Sequence, residues 1–262
     1  MEKHITKLFA IAALCMAMWS CEKEEVPTYD SPTAINFLAP DGYGGFTDNY
    51  LNLASEINLY ELYLEGMDVG EKELLVGFQI EGKIPDKDMK VRFATEKVDD
   101  AEQALIDCPA DSVVKAGEYR QTATFICHKP AEMEKEYSAY IVFDYANSDV
   151  VAGTKERQKF KVTVKDVTDW GGMYVSDEDE WNAYYSDVLG KYGPMKVRFI
   201  LYALGKQGMT YASIGYKYYY TPYYPSYGLQ AQMDYIKQAL DDYNAAQGTP
   251  LCEPDGTPVT FN

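Results

Sequence analysis

The 262-residue chain carries 41 acids against 24 bases, a formal charge of −17. That balance excludes nucleic acid as a partner, because phosphates demand clustered Lys and Arg, and it disfavours a surface lying on anionic lipid. The hydrophobic fraction is ordinary, so the chain can bury a core in one large domain or two small ones.

The first element is a leader. Lys3 and Lys7 precede an apolar stretch, Leu8 to Trp19, too short to span a bilayer as a helix. Ser20 supplies the small residue before Cys21, which completes a secretory signal. Residues 1–20 read as a lipoprotein signal peptide and Cys21 as the lipidated residue, with 21–33 as a tether. The box Met18-Trp19-Ser20-Cys21 departs from the common Leu-Ala-Gly-Cys form. Cleavage elsewhere, or an N-terminal membrane anchor, stays open. Acyl chains such as palmitate contribute about 0.8 kcal/mol per buried methylene, so a multiply acylated Cys21 would hold firmly to the outer membrane. Lys23-Glu24-Glu25 resembles the surface-export signal of lipoproteins from Bacteroides-type bacteria, which favours the outer face of that membrane; an ordinary charge run is the alternative.

From Ala34 to Val167 the pattern has period two. Leu74, Val76, Phe78 and Ile80 alternate with polar or small residues, and so do Tyr119 to Cys127, Tyr137 to Phe143 and Phe160 to Val164. Such strands have one wet face. Further strands are expected at Ala34–Leu38, Glu56–Leu64 and Met89–Thr95, with turns at Asp41-Gly42, Glu81-Gly82 and Ala116-Gly117. The spacing predicts a mainly β fold: an immunoglobulin-like antiparallel sandwich over 34–167. The Cys…Trp…Cys hallmark of antibody domains is missing, so the likeness is architectural.

Residues 168–262 are expected to form a smaller, helix-containing C-terminal domain. Ser176 is placed to cap a helix whose first turn holds Asp177, Glu178, Asp179 and Glu180, where the helix dipole favours negative charge. These acids read as a solvated helix start. Paired catalytic carboxylates must face each other about 5–10 Å apart. Trp181, Tyr184, Tyr185, Val188 and Leu189 recur at helical spacing, and Gly190 with Gly193-Pro194 ends the run. Met195–Leu204 is a buried strand or helix. A second helix is expected from Leu229 to Ala246, with Met233, Ile236, Leu240 and Tyr243 on one face.

The chain resembles a family of uncharacterised outer-membrane lipoproteins of Bacteroides-type bacteria. The likeness rests on Ala34-Ile35-Asn36-Phe37, Lys115-Ala116-Gly117-Glu118, Trp181 followed by Leu189-Gly190-Lys191-Tyr192-Gly193-Pro194-Met195-Lys196, and Pro254-Asp255-Gly256-Thr257-Pro258-Val259-Thr260-Phe261. It implies a companion of SusC/SusD-like uptake systems, which import glycans or peptides. The family has no assigned activity, so no catalytic residue follows from it.

Chemistry-bearing residues are few. His4 belongs to the leader, which leaves His128 as the one histidine of the mature chain, expected at the surface. Zinc sites and Ser-His or Cys-His nucleophiles need placed histidines, so neither metal, cofactor nor catalytic activity is expected. Cys108, Cys127 and Cys252 lack CxxC spacing; a Cys108–Cys127 bridge stays open. Asp41, Asp48, Asp144, Asp149 and Asp166 are the acids open to calcium, but the sequence holds no Asp-x-Asp-x-Asp-Gly loop. The densest unusual segment is Tyr216 to Tyr227. Tyrosine combines a flat apolar face with a polar tip, so Tyr216, Tyr219, Tyr220, Tyr223 and Tyr224 are the candidate glycan- or peptide-binding residues. Packing against the sandwich or the second helix is the alternative. Three functional readings compete: a binding accessory of an uptake system, a structural accessory of an outer-membrane complex without a ligand, and, less favoured, a glycosidase.

Overall fold

Side chains alternate across a strand, so each long strand of this chain turns one apolar row inward. The computed structural model describes residues 32–48, 52–170, 175–206 and 233–262, with the side chain of Val188 excepted. Its strands are β1 (Ala34–Phe37), β2 (Ala39–Pro40), β3 (Phe46–Thr47), β4 (Ala54–Asn58), β5 (Glu71–Glu81), β6 (Met89–Val91), β7 (Phe93–Lys97), β8 (Glu102–Gln103), β9 (Ile106–Asp107), β10 (Ser112–Val114), β11 (Arg120–His128), β12 (Glu136–Phe143), β13 (Val151–Ala152) and β14 (Lys159–Lys165). The first sheet has the order β13-β1-β5-β11-β9, and the second β4-β14-β12-β7, with β8 also on β12. Phenylalanines from both inner faces close the space between them. Phe37 of β1 stacks on Phe143 of β12 at 4.1 Å. Phe93 of β7 meets Phe78 of β5 and Phe125 of β11 edge-on, at 5.6 and 5.1 Å. Such ring pairs add about 0.5–1.5 kcal/mol each beyond their buried area.

Three sequence expectations need correction. The sheets are mixed: β13 runs parallel to β1, β4 to β14 and β8 to β12. None of these pairs is joined by a hairpin, and only a hairpin forces antiparallel direction. The strand expected over Glu56–Leu64 stops at Asn58. That side chain bonds both backbone groups of Val167 and accepts from Tyr60 N, and the chain turns into a 3-10 helix, Tyr60–Leu64. The strand expected over Met89–Thr95 breaks at Arg92, whose N–H donates to Ser148 Oγ instead of a ladder partner.

Among the described residues four α-helices follow: α1 (Glu178–Tyr184), α2 (Ser186–Leu189), α3 (Pro194–Gly205) and α4 (Met233–Gln247). The cap of α1 is Asp177, not Ser176. Asp177 accepts from Glu180 N at 2.9 Å, and the Glu180 carboxylate reaches back to Ser176 N, also at 2.9 Å. The run breaks at Tyr185, so Trp181, Tyr185 and Leu189 are buried while Tyr184 is half exposed. Met195–Leu204 is helical, and Pro194 occupies the first turn, where its missing N–H costs nothing. The Glu253 carboxylate caps that turn, accepting from Met195 N at 2.8 Å and Lys196 N at 3.0 Å. At the other end α3 meets the 3-10 helix so closely that a side chain on Gly205 would strike the Leu64 carbonyl. Buried residues of both sheets and all four helices form one continuous core. Among the described residues no helix is long and apolar enough to cross a membrane.

Candidate functional site

The placement of α3 depends on a charge in an apolar helix. Arg198 has no exposed side-chain surface. Its Nε donates to Asp166 Oδ1 at 2.8 Å, one terminal nitrogen to the Asp166 carbonyl at 2.6 Å, and the other to Glu134 Oε1 at 3.0 Å. The rings of Tyr60 and Tyr63 lie against the guanidinium, at 5.3 and 5.5 Å. Tyr63 donates to Asp166 at 2.9 Å and accepts from Lys129 at 2.6 Å. Burial, then the Asp166 charge, raises the Tyr63 phenol far above its usual range. Burial works to lower the Arg198 pKa, but the Asp166 charge and hydrogen bond outweigh it and raise it. The acids here already hold a buried cation, so the network fixes helix on sheet.

That fixed helix supplies one wall of a cleft of about 300 Å³. Tyr202 and Lys206 line it from the end of α3; Tyr235, Gln238, Asp242 and Tyr243 line it from α4. Met233, Ile236 and Leu240 face the core, which turns Tyr235, Gln238 and Asp242 outward. Ala239 and Ala246 also line the cleft, and their short side chains leave the room. Phe199 backs Tyr202 and Tyr243, each at 5.8 Å between centroids. Lys206 Nζ sits 4.2 Å from the Tyr202 ring centre, a cation–π contact. Gln238 donates to Asp242 at 2.8 Å, presenting an amide and a carboxylate side by side. Burial, then Tyr202, raises the Tyr243 phenol, so it stays a neutral donor. Rings flanking a few polar groups make a surface for sugar rings or peptide.

The sequence candidates fare unequally. Cys21 and Tyr216, Tyr219, Tyr220, Tyr223 and Tyr224 lie outside the described residues. The tyrosine segment belongs to the connection between α3 and α4, the two walls of the cleft. His128 is partly buried rather than free at the surface, with Asp107 at 2.8 Å and Glu71 at 3.7 Å on opposite sides of its ring. Asp41, Asp48, Asp144, Asp149 and Asp166 each serve a different local partner. Among the described residues no three His, Cys, Asp or Glu side chains gather as a metal site. Cys108, Cys127 and Cys252 are free thiols, and burial pushes those of Cys108 and Cys127 up to about 11. Sequence reasoning missed the cleft because its tyrosines are dispersed.

No protein-family model matches the chain, and no curated protein is similar to it. Solved structures give remote likenesses. The apo form of the Calx CBD1 domain aligns at 13% identity over 53% of this chain and 100% of that one, TM-score 0.32. Bacteroides thetaiotamicron EndoBT-3987 with a Man5GlcNAc product aligns at 11% over 44% and 28%, TM-score 0.34. The CsuC–CsuE chaperone–tip subunit complex of Acinetobacter baumannii aligns at 14% over 62% and 68%, TM-score 0.29. Likeness at this level carries no argument about function.

Proposed function

We propose that the protein is an outer-membrane lipoprotein anchored through Cys21, exposed at the cell surface, that binds glycan or peptide without catalysis as an accessory of a SusC/SusD-like uptake system. The observation that carries the binding reading is the tyrosine-walled cleft between α3 and α4. The acids next to α3, Asp166 and Glu134, are committed to Arg198, which favours binding over acid–base chemistry. We read the sheets as immunoglobulin-like and residues 34–167 and 168–262 as two domains whose apolar faces merge into the one core. The strand order β1-β5-β11-β9 against β4-β14-β12-β7 supports that topology.

The test is an array of glycans and peptides probed with the full chain and with Tyr235→Ala. We expect at least one ligand. Tyr235 is partly exposed, and truncating an aromatic anchor often costs about 2 kcal/mol, roughly a thirtyfold weakening, here with an unchanged melting midpoint. No binding anywhere on the array would replace this reading with a structural accessory. Palmitate label that persists in Cys21→Ala would overturn the anchor.

A further inference from the structure

We infer that the outer face of the first sheet holds a second site, separate from the α3–α4 cleft, for a neutral oligosaccharide. The site is a shallow, open depression of about 520 Å³ between the β2–β3 hairpin and β11, lined by Leu38, Phe46, Glu118, Arg120, Gln121 and Thr122. The hairpin stands on the sheet because Gly77 of β5 has no side chain: the Phe46 ring occupies the place a Cβ would take. Asp41 Oδ1 fixes the hairpin turn by accepting from Tyr43 N and Gly45 N, both at 2.8 Å. At its tip the Tyr43 side chain is left in water, the residue being 97% exposed.

Opposite that wall stands a held guanidinium. Arg120 donates Nε–H to Gln79 at 3.2 Å and a terminal N–H to Asp48 at 2.8 Å, and lies 5.4 Å from the centre of the half-exposed Tyr119 ring. A guanidinium has five N–H donors, so these two bonds orient it without using it up. Gln121 donates to the Glu118 carboxylate beside it, and that carboxylate keeps further acceptor positions. A rigid donor and a carboxylate acceptor in one depression match neighbouring sugar hydroxyls, each both donor and acceptor. The Phe46 ring supplies the flat apolar surface on which the C–H face of a pyranose rests.

Charge selects among sugars. Asp48 is shared by Arg120 at 2.8 Å and Arg157 at 3.9 Å, so together with Glu118 the local charges balance on a chain of net charge −17. An acidic glycan gains no net attraction there and meets the negative field of the whole chain, whereas a neutral one does not.

The experiment is titration calorimetry of the full chain with cellohexaose, maltohexaose, xylohexaose and mannohexaose, and with hexagalacturonate as the acidic comparison. We expect at least one neutral hexasaccharide to bind. Arg120→Ala and Gln121→Ala should weaken that binding at least tenfold, and Thr122→Trp, which fills the depression from an exposed position, should abolish it. Tyr235→Ala reports the α3–α4 cleft and should leave this binding intact, so the two sites fail separately. If Arg120→Ala lowers the melting midpoint, Gln121→Ala and Thr122→Trp decide. The inference is overturned if no neutral hexasaccharide binds, if Thr122→Trp and Gln121→Ala bind like the parent, if hexagalacturonate binds this face more tightly, or if only peptides compete there.

Discussion

Arg198 and Lys165 each hold two carboxylates, in opposite surroundings. Arg198 and Asp166 have 0% side-chain exposure, and Glu134 has 33%. Lys165 bridges Glu56 and Glu136 on the wet face of the second sheet, where those acids are 60% and 61% exposed. At the other end of β14, Lys159 pairs with the exposed Glu96 at 2.6 Å. Water replaces a lost partner on the sheet face but not at the junction. The same pair of charges is therefore nearly silent in one place and decisive in the other. The difference matters for function, because the junction sets α3, and α3 is a wall of the cleft.

The sharpest break is Arg198→Ala. It leaves the fully buried Asp166 with Lys129, at 3.5 Å, as its remaining cation, and removing one partner of a buried pair costs about 3–5 kcal/mol; urea denaturation measures it. Replacing Arg198 and Asp166 together by Met and Leu should recover part of that loss, since it leaves neither charge alone. An equal loss in the double variant would show the pair itself to be strongly stabilising.

Next is Gly205→Ala. The new methyl group meets the Leu64 backbone, which cannot swing aside, so overpacking of about 1–3 kcal/mol is expected in the same assay. Lys159→Ala, on the wet face, should cost about 0.5 kcal/mol or less and lose even that in high salt. A loss comparable to that of Arg198→Ala would break the comparison.

The smallest effect is a matter of sign. Hydrogen bonding to Glu96 raises the Lys159 pKa. Its contribution is present below the unfolded lysine value of about 10.4 and fades as pH rises through the folded value. Burial lowers the pKa of Lys196, so the folded state binds its proton less readily than the unfolded state, and stability rises with pH through that folded value. Pairing Lys159→Met and Lys196→Met against the parent from pH 8 to 11 should give gaps that move in opposite directions. Parallel curves would contradict the assignment.

Much of the frame was legible in sequence. The inward rows of β5, β11, β12 and β14 follow from strict alternation. The buried stripe of α4 follows from Met233, Ile236 and Leu240 at helical spacing. The edges were not legible: β8, β9 and β13 are two residues long, too short for a period. The junction left one sign, the basic residues Lys196 and Arg198 inside the apolar run Met195–Leu204, because a buried charge demands a partner. The partner of Arg198, Asp166, lies 32 positions away, and nothing local names it. The cleft was hidden for a related reason. Tyrosines are dense in 216–227, whereas Tyr202, Tyr235 and Tyr243 come together only through folding.

Hydrogen exchange of the full chain, with and without the tightest array ligand, tests the central claim that the α3–α4 cleft is where ligand binds. Slower exchange in the last turn of α3 and along residues 235–247 is the predicted result. Unchanged exchange in both helices at saturating ligand would contradict it.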